Sequence, residues 1–152
     1  MKPIKKILFP VDFSEVSPKI APWVLMMAEE FEAEIHLLFV ARGFGYLSDV
    51  YVMPATIENI QGEIIKGGET AMEEFVAAHF ERYPALKAKV IIGDAAERIL
   101  NYITSEEIDL VIMGTHGRKG LERVFFGSVA DRVIKMAPVP VLSINPHRAK
   151  EL

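Results

Sequence analysis

Between Met113 and Ile134 the chain reads MGTHGRKGLERVFFGSVADRVI, with four glycines, a histidine and four basic residues. Residues of these types can hold a phosphorylated molecule. A phosphate needs several converging N–H donors, a backbone that can come close, and preferably a helix N-terminus behind it, where unsatisfied N–H groups and the positive end of the helix dipole add together. Gly114 and Gly117 close an apolar run, while Gly127 and Ser128 open an amphipathic one. Ser128 is expected to cap the helix that follows and to offer both its N–H and its hydroxyl. Arg118, Lys119 and Arg123 can add charge-assisted contacts, and His116 is placed as a phosphate neighbour or proton carrier. Taken singly, each residue has a plainer role: glycines turn chains, serines cap helices and basic side chains are solvated. Two glycine clusters bracketing a basic loop favour anion binding over those roles taken separately.

The elements that must position this loop follow from periodicity. Ile4–Val11 ends in an apolar run suited to a strand covered on both faces, and Glu34–Ala41, Lys87–Gly93, Ile108–Gly114 and Val139–Ile144 are read as four further strands. Between the first two, Val16, Ile20, Val24, Met27 and Phe31 recur at helical spacing, widened by Trp23 and Ala28. Ser14 or Ser17 is expected to cap that helix, with Pro18 in its first turn and Pro22 costing a bond and bending the axis. A second helix is expected from Ile57 to His79, with Ile60, Ile64, Ala71 and Phe75 inward and Gly67-Gly68 as a weak point. Arg42–Thr56 shows no sustained period and is read as a long loop. Asp94 three residues before Glu97 is a capping-box-like start for a third helix, and a fourth is expected over Ser128–Met136.

Strand and helix alternate throughout, which is the pattern of a parallel sheet with helices on both faces. Such sheets bind ligands beyond the carboxyl ends of their strands, where strand order reverses. That rule selects the ends of strands 1, 2 and 4, at Asp12, Val40 and Gly114. The whole chain, residues 1–152, has the length of one domain able to bury its own core. It contains no cysteine, which excludes a disulfide scaffold and thiolate chemistry and fits a reducing compartment. The opening apolar run is broken by Pro10 and Asp12, and no stretch is long enough to span a bilayer, so a cytoplasmic protein without membrane contact is expected. A net charge of −4 argues against nucleic acid as partner.

The spacing Gly114, two residues, Gly117, nine residues, Gly127-Ser128 resembles the nucleotide-binding signature of the universal stress protein family, G-x2-G-x9-G-[ST]. The opening ILFPVDFSE (Ile7–Glu15), the segment GDAAERIL and the closing PVPVLSI resemble that family's blocks as well, so the resemblance covers nearly the whole chain. It implies an α/β, Rossmann-like fold of the HUP type, with a five-stranded parallel sheet in the order 3-2-1-4-5. It also implies the ATP-binding branch of the family, with ATP and Mg²⁺ (or Mn²⁺) as the bound group. Carried over by position, Asp12, flanked by Pro10 and Val11, lies near the ribose and the metal, and the backbone of Val40 reads adenine. Met113 and Gly114 line the ribose side, His116, Gly117 and Arg118 lie along the phosphates, and Gly127, Ser128 and Val129 hold the phosphate tail. Family members usually dimerise by pairing their fifth strands, which here implies a homodimer through Val139–Ile144. Pro18 and Pro22 depart from the family's pattern.

Other motifs are weaker. No Walker A loop is present, because the glycines of Gly62–Gly68 continue with Glu69 rather than Lys-Ser, and GFG at Gly43–Gly45 lacks a third glycine. His36, His79, His116 and His147 have no zinc-ligand spacing. His36, inside an apolar strand, is expected to be packed with one hydrogen bond. Two functions are therefore carried forward. One is an ATP-binding regulatory protein of stress response that acts by changing state. The other is a slow ATPase or adenylating enzyme, with Asp12, His116 and Ser128 as working residues.

Overall fold

The computed structural model describes residues 2–43, 53–116 and 127–150. In chain order the elements are β1 (Lys6–Val11), α1 (Ser17–Phe31), β2 (Glu34–Ala41), α2 (Pro54–His79), β3 (Leu86–Ile92), α3 (Ala95–Ser105), β4 (Leu110–Gly114), α4 (Ser128–Met136) and β5 (Val141–Ile144). The strands form one sheet in the order β3-β2-β1-β4-β5, and every neighbouring pair is parallel. The expected order and strand direction are both found.

Alternation of side chains along each strand divides the core into two layers. Ile7, Phe9 and Val11 point to the layer shared with Ile20, Val24 and Ala28 of α1 and Met72 and Phe75 of α2. Leu8 and Leu38 point to the opposite layer, with Ala96, Ile99 and Ile103 of α3 and Ala130 and Val133 of α4. Each fully buried Leu or Ile contributes about 1.5–3 kcal/mol, which is why the central strands read as unbroken apolar runs. The edge strand β3 does not: Lys87, Ala88 and Lys89 are exposed.

Several boundaries differ from the sequence expectations. β1 starts at Lys6 rather than Ile4, β4 at Leu110 rather than Ile108 and β5 at Val141 rather than Val139, and β3 covers Leu86–Ile92. The N-cap of α1 is Val16, with no side-chain capping bond, so neither Ser14 nor Ser17 caps it. Pro22 lies inside α1 but on its exposed side, away from the sheet. α2 begins at Pro54, inside the segment read as loop, with proline at the start of the helix where its missing N–H costs nothing. Residues 44–52 lie outside the described residues. Ile60, Ile64 and Ala71 are half-buried, and α2 is buried instead at Gly68, Met72 and Phe75.

α2 runs unbroken through Gly67-Gly68, and Gly68 makes a close contact there. A Cβ on Gly68 would stand 2.7 Å from Val90 Cγ1 and 3.2 Å from the Phe39 ring, so only glycine lets the helix lie this close to β2 and β3. Gly67 faces open space.

Candidate functional site

The ladders do not all reach the carboxyl edge of the sheet. Pairing of β2 with β3 runs to Ala41↔Ile92 and pairing of β1 with β2 to Val11↔Phe39, but pairing of β1 with β4 stops at Leu8↔Val111. β1 and β4 therefore part beyond Leu8, at the point where strand order reverses. A cavity of about 740 Å³ opens there, within the range of small-molecule sites. Pro10, Val11, Asp12, Val40, Met113, Gly114, His116, Gly127, Ser128 and Val129 all line it. Gly117 and Arg118 lie outside the described residues, as do Lys119, Gly120 and Arg123.

At the end of β1, one oxygen of Asp12 accepts from the Ser14 N–H (2.9 Å), the Ser14 hydroxyl (2.6 Å) and the Ser17 hydroxyl (3.0 Å). Ser17, almost fully buried, also accepts from the Asp12 N–H at 3.3 Å. The carboxylate thus organises the turn into α1, although its side chain does not cap the helix. Phe13, between them, has φ 56°, in the left-handed region that disfavours an aromatic residue. Its ring packs at 4.6 Å from that of Phe39 and 6.0 Å from that of Phe75, contacts that hold the turn in place.

Thr115 ties the end of β4 to Gly127 and to β5. Its N–H donates to the Ile144 carbonyl (2.9 Å), its carbonyl accepts from the Gly127 N–H (2.7 Å), and its hydroxyl is 2.8 Å from His116 Nδ1. β4, the start of α4 and the end of β5 are fixed to one another by this residue. The N-cap of α4 is Gly127 rather than Ser128, and no side chain caps the helix. Ser128, Val129 and Ala130 form its first turn, whose N–H groups have no acceptor within the helix, and all three line the cavity. The His116 ring stands edge-on to that of His147, with centroids 5.5 Å apart.

At the other end, the walls are Val40, Ala41, Ile64, Ala95 and Ile99. Backbone groups of a parallel strand turn to alternate neighbours. Glu34 bonds toward β1 and Ile35 toward β3, so Val40 turns its backbone to the β1 side, just where that ladder ends. Arg42 also lines this end. Beside it Asp94 caps α3 by accepting from Glu97 N–H (2.9 Å) and pairs with Arg132 of α4 (2.9 Å), as its spacing to Glu97 led one to expect. The Glu97 N–H, with Arg132 and Arg42, holds the Asp94 carboxyl below its usual range against a smaller opposing effect of burial.

The cavity therefore has an apolar end suited to a flat ring, a carboxylate in its middle and a donor-rich end suited to an anion. Among the described residues no group of three His, Cys, Asp or Glu side chains is placed to hold a metal. One carboxylate fits Mg²⁺, which takes one or two protein carboxylates and completes its shell with phosphates and water. His36 stands apart: it is fully buried, and its ring bonds both Tyr102 Oη (2.9 Å) and Glu34, two partners where one was expected. Thr115 was not singled out by sequence reasoning, and Ser17 only as a cap for α1, not as a partner of Asp12. Thr115 carried a signal in its position directly after the strand-ending Gly114, whereas Ser17 carried only its spacing from Asp12.

The model of the family described as "Universal stress protein family" matches residues 3–145. Universal stress protein MJ0531 of Methanocaldococcus jannaschii is 34% identical over 143 residues, covering 93% of this chain and 82% of that protein. Among solved structures, the universal stress protein UspA from Lactobacillus plantarum superposes with TM-score 0.76 at 26% identity, covering 95% of this chain and 100% of that one. A universal stress protein from Archaeoglobus fulgidus, described as a complex with dAMP, superposes with TM-score 0.67 at 16% identity, covering 95% and 100%; that likeness is one of fold.

Proposed function

We propose, from the premise that this chain belongs to the universal stress protein family, that it is a cytoplasmic nucleotide-binding regulator of the family's ATP-binding branch. It takes ATP with Mg²⁺ and acts in stress response through the difference between its loaded and empty states. The observation that carries this reading is the convergence of Asp12, Val40, Gly114, Gly127 and Ser128 on one cavity at the point where strand order reverses. That a relative of the same fold is described with dAMP supports a nucleotide as the ligand class.

In this reading adenine lies between the apolar walls at Val40 and Ala95, and the backbone of Val40 selects it. Asp12, oriented by Ser14 and Ser17, faces the ribose and would hold Mg²⁺ together with the phosphates; the ion would offset phosphate charge. Gly114 and Gly127 allow close backbone approach, and the first turn of α4 supplies N–H donors. Gly117 and Arg118 extend the phosphate contacts. Two chains pair through the edge strand β5, where Leu142 is 36% exposed; Leu142→Asp is expected to give monomers by light scattering.

The test is to denature the purified protein, chromatograph what is released, and then follow phosphate release from added ATP over hours. Co-purified or rebound adenine nucleotide without turnover is expected. No released nucleotide and no binding at millimolar ATP would sink the reading, and turnover lost in Asp12→Ala would replace it with the slow ATPase.

A further inference from the structure

β1 is a central strand, yet its fifth residue is proline. Proline has no N–H to give a ladder and is rare where both neighbours of a strand are paired. Which neighbour loses the bond follows from the alternation. The Lys5 carbonyl accepts from Glu34 of β2 and the Lys6 carbonyl from Asp109, at the approach to β4. Odd positions of β1 therefore address β2 and even positions address β4. Pro10 is even, so its missing N–H lies on the β4 side.

The partner it would have had is equally well defined. Val111 N–H donates to the Pro140 carbonyl on the β5 side, so Ile112 turns its backbone to β1. With Leu8↔Val111 in register, the next bond of the ladder would run from an N–H at position 10 to the Ile112 carbonyl. The ladder stops at that bond. On the β2 side, where proline removes nothing, pairing continues through Pro10↔Leu38 to Val11↔Phe39. Pro10 is half-buried in a strand whose preceding three residues are buried, as expected of a position beside an opening.

We propose that Pro10 is a positioning residue whose missing N–H keeps β1 and β4 unzipped beyond Leu8, and that this opening is what admits the nucleotide. The inference rests on the nucleotide reading for its ligand, but its structural half stands without it. An N–H at position 10 draws the end of β1 onto Ile112 and closes the crevice lined by Pro10, Val11, Met113 and Gly114 from its floor.

Two variants separate the N–H from the ring. Pro10→Ala supplies an N–H. Lactic acid incorporated at position 10 has the same methyl side chain but an ester oxygen in place of nitrogen, and so lacks the N–H again. In ATP titrations Pro10→Ala is expected to lose about tenfold in affinity, the value of one hydrogen bond competing with the open state, while the ester variant binds as the unmodified chain does. Equal affinity in all three, or equal loss in both variants, overturns the proposal, since the N–H is then without effect. Hydrogen exchange of the amide at position 10 in nucleotide-free Pro10→Ala reads the ladder directly: slow exchange is expected, and exchange at the rate of an open loop overturns it. Failure of the unmodified chain to bind ATP would remove the nucleotide reading, and exchange at position 10 then decides the ladder by itself.

Discussion

The two ends of the sheet use the same residue types in opposite ways. At the amino ends of the strands, Asp109 accepts the N–H groups of Lys5 (2.9 Å) and Lys6 (3.0 Å) and pairs with Lys2 (2.8 Å), while Lys6 Nζ reaches the Glu106 carbonyl (2.8 Å). Glu34 bridges His36 and Lys87, and Tyr102 closes the group from α3. Burial pushes the Tyr102 hydroxyl up to about 12. Burial also works against the Asp109 and Glu34 carboxylates, but the Lys2 and backbone N–H bonds at the first, and Lys87 and His36 at the second, hold both below their usual range. At the carboxyl ends, an aspartate, a histidine and an arginine instead line a cavity: Asp12, His116 and Arg42. Histidine and aspartate are therefore not diagnostic by type. The end of the strand they occupy, and whether the ladders close there, distinguishes groups that tie strands together from groups that line the cavity.

The largest effect is expected from Gly127→Val. Gly127 has φ −64° and ψ 156°, open to any residue, so the backbone should hold while the side chain obstructs the phosphate end. Calorimetry is expected to show ATP affinity reduced by about a hundredfold or more, the loss of two or more charge-assisted bonds, with the melting temperature nearly unchanged. Asp109→Ala should do the reverse. It removes a carboxylate bound to two strand N–H groups and is expected to cost about 2 kcal/mol in denaturant unfolding, with ATP affinity unchanged. Tyr102→Phe, which leaves one nitrogen of the buried His36 without its partner, should cost about 1 kcal/mol, again without effect on affinity. If either amino-end variant weakens ATP binding as much as Gly127→Val does, the division between the two ends fails.

The smallest effect appears only in acid. The folded-state values of Asp109 and Glu34 lie below the usual 3.8 and 4.5, so the unfolded chain takes up protons first as pH falls. The stability they add is present above those usual values and is lost as pH drops through the lower folded ones. Asp109→Asn should flatten the fall in stability below about pH 4; an unaltered slope would show that Asp109 has no part in it.

The architecture was legible because β1, β2 and β4 are covered on both faces and so are mostly apolar, with His36 of β2 buried only by virtue of its two bonds, and because helical stripes separate them. Boundaries were less legible where a distant partner sets them. β1 starts at Lys6 with Asp109, 103 residues away, bound to the Lys6 N–H, and His36 takes its second bond from Tyr102, 66 residues away. The start of α2 had a local sign, Pro54, obscured by the irregular composition around it. Asp12, Val40 and Gly114 could be placed at strand ends from the alternation of strands and helices, and Gly127 at a helix start from the glycine spacing; all four line the one cavity. The bond of Ser17 to Asp12 and the role of Thr115 could not be read in that way, since they fix the turn after β1 and the crossing from β4 to β5 and α4, and such bonds exist only once the chain is folded.

On the proposed reading the ligand enters at the carboxyl ends and leaves the amino ends alone. Hydrogen exchange with and without ATP and Mg²⁺, resolved by segment, tests it most directly. Slowed exchange is predicted over Asp12–Ser17, Met113–His116 and Gly127–Ala130, with no change at Lys5–Lys6 or Glu106–Asp109. Protection at the amino ends, or no protection anywhere at saturating ATP, would contradict it.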